Sequence, residues 1–272
     1  MIIDGKKLAE EIKTSLKDEV VKIGKVLRFA IIYVGDNAVS EKFLEQKKKF
    51  GADVNIDVRV YNFPKEISTT ELRKKVAEIV HIDKNTAVIV QLPLPAHINA
   101  QYILDGIIPD KDADMLSSKS IGLFLTGRSK TLPPIVGAIK YIFENHNVVV
   151  LGKQVVVVGA GRLVGKPIAT WLIQQEATVV VCDEHTSDIS QFTKNADIIV
   201  SGVGKPNLIT LDIIKDGVVA IDAGTSESSG KIVGDMNAVI SQKSSIFSPV
   251  PGGVGPLTVA MLFSNVVAIA QK

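Results

Sequence analysis

The sequence predicts an α/β fold in two domains with parallel sheets, and three observations carry the prediction. Short, almost uninterrupted apolar strands alternate with amphipathic helical spacings through the first half. A strand, a glycine-rich turn, a helix and a second strand follow one another between Lys153 and Asp183. The length, 272 residues, accommodates one large or two ordinary domains. Strands that alternate with helices imply βαβ units and hence a parallel sheet. Two such domains with a cleft between them, where a small ligand is expected, are the simplest architecture.

In chain order, Leu8, Ile12, Leu16, Val20 and Ile23 give residues 5–23 a helical face. Residues 29–34 read as a strand covered on both sides, because the apolar run does not alternate. Gly35-Asp36-Asn37 is a turn, and a helix follows over about 39–50. Residues 54–61 alternate as a strand. Ser68-Thr69-Thr70-Glu71 has capping-box form and starts a helix running to about Ile82. Residues 86–90 are another buried strand, which runs into Gln91-Leu92-Pro93-Leu94-Pro95, where proline ends the ladder. A helix over 135–145 leads into the second half, whose strands are expected near Val155, Val179, Ile198 and Val219. Leu211 to Lys215 is expected as a short helix closed by Gly217, and residues 258–270 as an apolar last helix.

Composition narrows the function. Hydrophobic residues make up 46% of the chain, which marks a globular protein. A formal charge of +2 gives no electrostatic case for nucleic acid or membrane binding. The start of the chain has no signal-peptide core, and no apolar run approaches the length of a membrane span. Cys182 is the single cysteine, so no intramolecular disulfide is possible, and a reducing cytoplasm is the expected setting. His81, His97, His146 and His185 lack metal-ligand spacing, so no metal site is expected.

Gly159-Ala160-Gly161-Arg162-Leu163-Val164-Gly165 is the motif that points to a ligand. Glycines let backbone approach a pyrophosphate, and the helix N-terminus behind them offers N–H groups and a positive dipole end. The strand–turn–helix–strand context favours a Rossmann-type dinucleotide site, with a tight βα turn that binds no ligand as the alternative. Its spacing, G-x-G-x-x-x-G, is one residue longer than the commonest form. Three other segments carry weaker signals. Ser40, Phe43 and Lys47 share one helical face, and of Lys47, Lys48 and Lys49 only one can point the same way as Phe43; a solvated lysine run is the plainer reading. Gln91 ends a buried strand at the carboxyl edge of a parallel sheet, where such proteins place ligands. Asp110, Asp112 and Asp114 form a polar turn or a metal cluster. Pro249 to Pro256 holds three glycines and three prolines in eight residues, which suits either a ligand-lining loop or a domain crossing.

Taken together, Gln91-Leu92-Pro93-Leu94-Pro95, Pro109 through Asp114, and Pro249-Val250-Pro251-Gly252-Gly253-Val254-Gly255-Pro256-Leu257-Thr258 resemble the bifunctional methylenetetrahydrofolate dehydrogenase/methenyltetrahydrofolate cyclohydrolases. Ile3-Asp4-Gly5-Lys6, Val34-Gly35-Asp36, Gly152-Lys153, Val164-Gly165-Lys166-Pro167 and Gly234-Asp235 add to the likeness, which covers nearly the whole chain. The resemblance implies a folate-binding catalytic domain over 1–138, to which a C-terminal helix over 256–272 returns, and a Rossmann-type domain over 139–255. It implies two reactions. 5,10-Methylenetetrahydrofolate is oxidised by NAD(P) to the methenyl cation, which is then hydrolysed to 10-formyltetrahydrofolate. A dehydrogenase with weak or absent cyclohydrolase activity, and a catalytically silent nucleotide- or folate-binding relative, are the alternatives. By the same resemblance Lys47, Gln91 and Asp114 are the catalytic candidates, and Ser40, Phe43, Leu92, Pro93, Pro251, Gly252 and Gly253 bind substrate. Gly159, Ala160, Gly161, Arg162, Val164, Gly165, Asp183, Glu184 and Thr225 bind the dinucleotide. The partners implied are tetrahydrofolate derivatives and a second copy of the chain.

Four departures from the family pattern bear on function. Phe43 stands where tyrosine is usual, Met115 where glycine is usual, and Leu132-Pro133-Pro134-Ile135 replaces a P-C-T-P segment. The fourth concerns the cofactor. The family favours NADP, yet Ala160 stands in place of an arginine, and Asp183-Glu184-His185 in place of a serine and a basic residue. A carboxylate at the end of the second strand suits the ribose hydroxyl of NAD and repels a 2′-phosphate.

Overall fold

The computed structural model describes residues 1–228 and 231–271. The chain divides into two units: Glu10–Pro134 with Val259–Lys272, and Met1–Ala9 with Ile135–Thr258.

In the first unit a three-stranded parallel sheet has β1 (Leu27–Val34) at its centre, flanked by β2 (Ile56–Phe63) and β3 (Ala87–Val90). Around it run α1 (Gly5–Ile23, which begins in the other unit), α2 (Ala38–Asp53), α3 (Thr69–Val80) and two short helices, α4 (Ala100–Leu104) and α5 (Ser118–Leu125). The expected strand over 29–34 is buried along nearly its whole length, as a sheet covered on both faces requires. Ser68 caps α3 by accepting a hydrogen bond from the Glu71 N–H, as its capping-box sequence predicts. The strand expected from Val54 begins two residues later, because Asn55 takes a left-handed turn (φ 59°) between helix and strand.

The Pro109–Asp114 motif finds its place beside β3. Val88 donates its N–H to the Lys111 carbonyl at 2.7 Å, so this segment extends the sheet by one bridge. Lys111 Nζ donates to the carbonyls of Val80 and Ile82, closing the end of α3, and Asp112 accepts from the N–H groups of Leu116 and Ser117. Among the described residues no cluster of metal-ligating side chains occurs.

The second unit takes in most of α6 (Pro134–Asn145) and holds a five-stranded parallel sheet. Its strands are β4 (Gln154–Val158), β5 (Thr178–Cys182), β6 (Ile198–Ser201), β7 (Val219–Asp222) and β10 (Ile246–Ser248), in the order β10-β7-β6-β4-β5. Helix α7 (Gly165–Gln174) joins β4 to β5, α8 (Ser190–Thr193) precedes β6, and a small antiparallel hairpin is made by β8 (Ser226–Ser228) and β9 (Lys231–Val233). β10 and the hairpin were not expected, since three-residue strands are too short to show a period. The helix expected over Leu211–Lys215 is a single 3₁₀ turn, Leu211–Ile213. Residues 1–3 lie against the free edge of β10: Ile3 donates to the Phe247 carbonyl, and Phe247 donates to the Met1 carbonyl.

Helix α9 (Val254–Ala270) starts four residues earlier than expected, inside the proline–glycine loop. Pro256 falls in its first turn, where proline lacks nothing, since that N–H has no intrahelical partner. Farther along, Phe263 packs edge-on against Phe29 of β1, with ring centroids 5.3 Å apart, and tilted against Phe50 at 4.8 Å. No helix among the described residues is long and apolar enough to cross a membrane.

Candidate active site

Lys47, Gln91 and Asp114 lie on α2, at the end of β3 and in the segment bridged to β3. Asn37 caps α2 by accepting from the Ser40 N–H at 2.9 Å, which fixes the phase of the helix. That phase separates the three lysines. Lys47 is half-buried, whereas Lys48 and Lys49 are exposed, and Lys48 pairs with Glu45 at 2.7 Å. Ser40 is buried in the same helix, and the Phe43 ring remains 37% exposed.

Lys47 Nζ donates to Gln91 Oε1 at 2.6 Å, and Gln91 Nε2 donates to the Leu92 carbonyl at 2.8 Å. The glutamine amide is therefore oriented from both ends, and it holds the amine in place. Burial holds the Lys47 ammonium below the ordinary lysine value, while the Asp114 charge works against that shift. Burial pushes the Asp114 carboxyl up to about 6; the Lys47 charge pulls it down and the Asp112 charge pushes it up. Burial thus pushes the amine and the neighbouring carboxyl each toward its neutral form, the kind of perturbation that marks proton chemistry.

Met115 adjoins this group in a left-handed conformation (φ 60°), although its side chain is buried. Only glycine adopts that backbone without cost, so a methionine there is held against its own preference. The Met115 sulfur accepts from Thr131 Oγ1 at 3.0 Å, and Asn265 of α9 donates to the carbonyls of Ala113 and Leu132. Two departures from the family pattern, Met115 and the Leu132 segment, thus belong to one packing cluster.

In the second unit the glycine turn is built as a phosphate cradle requires. Gly159 has φ 107°, and a Cβ on Gly165 would run into the Gly159 carbonyl. A Cβ on Gly161 would meet nothing within 4 Å, which leaves open space at the N-terminus of α7. These features fit a dinucleotide pyrophosphate. Ala160 and Val164 are partly buried in the turn, and Arg162 is exposed. Asp183 and Glu184 follow β5 and are exposed; Asp183 Oδ1 accepts from the His185 N–H at 3.0 Å. Thr225 is exposed after β7. Pro251, Gly252 and Gly253 lie in this unit, and Gly5 donates its N–H to the Gly252 carbonyl at 2.8 Å. A Cβ on Gly5 would strike the Gly253 carbonyl, so the glycine of the Ile3-Asp4-Gly5 motif is there to let this loop come close.

Comparison with known proteins now decides the family. Residues 3–114 match the model of the tetrahydrofolate dehydrogenase/cyclohydrolase catalytic domain, and residues 133–272 match that of the NAD(P)-binding domain. The chain belongs to the tetrahydrofolate dehydrogenase/cyclohydrolase family. It is 40% identical over 276 residues to the bifunctional protein FolD of Nautilia profundicola, an alignment covering 100% of this chain and 97% of that one. Among solved structures, the bifunctional FolD of Campylobacter jejuni superposes with a TM-score of 0.97 at 37% identity, covering 100% of this chain and 98% of that chain. The Trypanosoma brucei enzyme, solved with NADP and an inhibitor, gives 0.95 at 30% identity, covering 100% and 97%.

Two acidic residues of the second unit were given no role from the sequence, and Gly234-Asp235 entered only as part of the family likeness. Asp222 and Asp235 are 1% and 0% exposed, and both accept several backbone hydrogen bonds. A glycine lies close to each in sequence, Gly224 two residues after Asp222 and Gly234 just before Asp235, with no pattern linking the two carboxylates.

Proposed function

We propose that the chain oxidises 5,10-methylenetetrahydrofolate to the methenyl cation with a nicotinamide dinucleotide, and hydrolyses that cation to 10-formyltetrahydrofolate. The Lys47–Gln91 hydrogen bond beside Asp114 is the observation that carries this reading. When bound, the nicotinamide accepts the hydride. The residues of the first unit hold the folate so that its one-carbon unit is correctly presented, which is a problem of position more than of acid–base chemistry. Ring opening is different, because water must lose a proton and a ring nitrogen must gain one. Lys47, held below its ordinary pKa, accepts and returns that proton while Gln91 fixes its amine. Asp114 binds the amino edge of the pterin through charge-assisted hydrogen bonds. Phe43 stacks on the aminobenzoate, flanked by Ser40, Leu92 and Pro93.

The second reading, a dehydrogenase with a weakened cyclohydrolase, rests on Phe43, which lacks the hydroxyl a tyrosine would bring beside Lys47 on the same helical face. Phe43→Tyr is expected to raise ring opening relative to hydride transfer, and an unchanged ratio removes the idea.

NADP is the cofactor that the family implies, and the turn and the end of β5 also admit NAD. Support comes from the exposed carboxylates of Asp183 and Glu184 at the end of β5 and from Ala160 in the turn. Arg162 and the NADP of the T. brucei complex support the phosphorylated form. A homodimer through the second unit is supported by β5, an edge strand whose Val181 is exposed and whose outer backbone has no strand partner among the described residues. Purified protein given 5,10-methylenetetrahydrofolate with NAD or NADP tests the assignment. Reduction with both dinucleotides and loss of the methenyl species faster than the uncatalysed rate are expected. Absence of reduction with both NAD and NADP overturns it.

A further inference from the structure

The buried acids of the second unit have a structural arrangement that points to the dinucleotide. Asp235 Oδ2 accepts from Ser201 Oγ and from the Val203 N–H, both at 2.7 Å. Its Oδ1 accepts from the N–H groups of Gly204 and Lys205, both at 2.8 Å. One carboxylate therefore gathers the end of β6 and three consecutive backbone donors of the loop that follows it. Charge-assisted bonds of this kind are the strong ones, and a buried carboxylate with four donors is fully satisfied.

The gathered loop sits directly on the glycine turn. A Cβ on Gly202 would strike the Val164 side chain, and a Cβ on Gly159 would strike the Gly202 carbonyl. The loop's N–H groups at 203–205 are turned inward to Asp235, so they are not phosphate donors, and the loop acts as a wall of the site. Asp235 is itself held. Asp222 Oδ1 accepts from the Asp235 N–H at 3.1 Å and from the Gly224 N–H at 3.0 Å, and its Oδ2 from the Met236 N–H at 2.9 Å. Both flanking glycines are spaces the carboxylates require: a Cβ on Gly224 would enter the Asp235 carboxylate, and one on Gly234 would enter that of Asp222.

We propose that Asp235 is a positioning residue for the dinucleotide: it fixes the Gly202–Lys205 loop against the Gly159–Gly165 turn, and Asp222 fixes Asp235. The inference rests on the dinucleotide-binding reading of the second unit. It acts through the loop, without contact between Asp235 and the reacting atoms.

Titration of the full-length protein with NADH and NADPH, followed by nicotinamide fluorescence, tests it. Asp235→Asn turns an N–H donor toward donors and is expected to raise the Kd tenfold or more. Ser201→Ala, which removes one bond of four and folds more readily, is expected to raise it about threefold, as loss of one hydrogen bond allows. Ring opening of methenyltetrahydrofolate without dinucleotide stays within twofold in both variants. Ile240→Val, a core change elsewhere in the second unit, controls for lost stability and leaves the Kd within twofold. Unchanged Kd values in Asp235→Asn and Ser201→Ala overturn the inference alone, as does an equal rise in Ile240→Val. Wild-type protein that binds neither dinucleotide overturns the reading of the second unit and the inference with it.

Discussion

Asp114 in the first unit and Asp222 in the second are both pushed up to about 6 by burial, yet their partners differ in kind. The charge opposing the Asp114 shift is Lys47, a side chain that itself titrates and whose own pKa is lowered. The groups opposing the Asp222 shift are the N–H groups of Met236, Asp235 and Gly224, while the Asp235 charge adds to it. Backbone N–H groups neither accept nor release a proton at physiological pH. A shifted carboxyl facing an amine can move protons; one facing the backbone can only hold a shape. A perturbed pKa marks a costly site, and the partner tells what the cost maintains.

The largest test of this contrast is Lys47→Met. Loss of the proton acceptor is expected to slow ring opening on the order of a thousandfold, within the range for acid–base groups. Dinucleotide Kd in the same variant is expected to stay within twofold, and a large rise would tie the two units together more closely than the contrast allows.

A smaller effect concerns stability. The folded-state pKa of Asp114 lies above its unfolded value, so its contribution is fully present below about pH 4 and is lost as pH rises through about 6. The unfolding free energy of the wild type, measured against that of Asp114→Asn, is expected to fall by about 1–2 kcal/mol between these limits, after allowance for the partial exposure of the carboxyl. Denaturant melts at pH 4, 5, 6 and 7 give the difference, and parallel curves would remove the raised pKa. The smallest effect lies next door. Met115→Gly relieves the left-handed backbone and Met115→Ala does not, though both lose the buried side chain. The glycine variant is expected to be the more stable by about 1 kcal/mol, the reverse of the usual order of glycine and alanine.

Much of the fold was legible because its signals are local. The apolar runs at Leu27–Val34 and Gln154–Val158, the capping serine of α3 and the glycine turn each occupy a few adjacent residues. β10 escaped because its three residues draw their stability from β7 on one side and residues 1–3 on the other. Of the candidate site, Gln91 was already placed at the carboxyl edge of a sheet by its own segment, whereas the roles of Lys47 and Asp114 came from family likeness; spacing alone left Lys47 in a solvated run. Helix phase, set by Asn37, is what separates it from Lys48 and Lys49. The positioning contacts of Asp235 were illegible for a different reason. Its donors lie 30 to 34 residues away, and neither period nor motif links carboxylate to loop.

A carbon-13 titration of carboxyl-labelled aspartates, in the wild type and in Lys47→Met, tests the central contrast most directly. Two buried carboxyls titrating near 6 are expected in the wild type. Removing the Lys47 charge should move Asp114 further up and leave Asp222 where it was. An Asp114 that does not respond, or an Asp222 that moves with it, would contradict the assignment of proton chemistry to the first unit and positioning to the second.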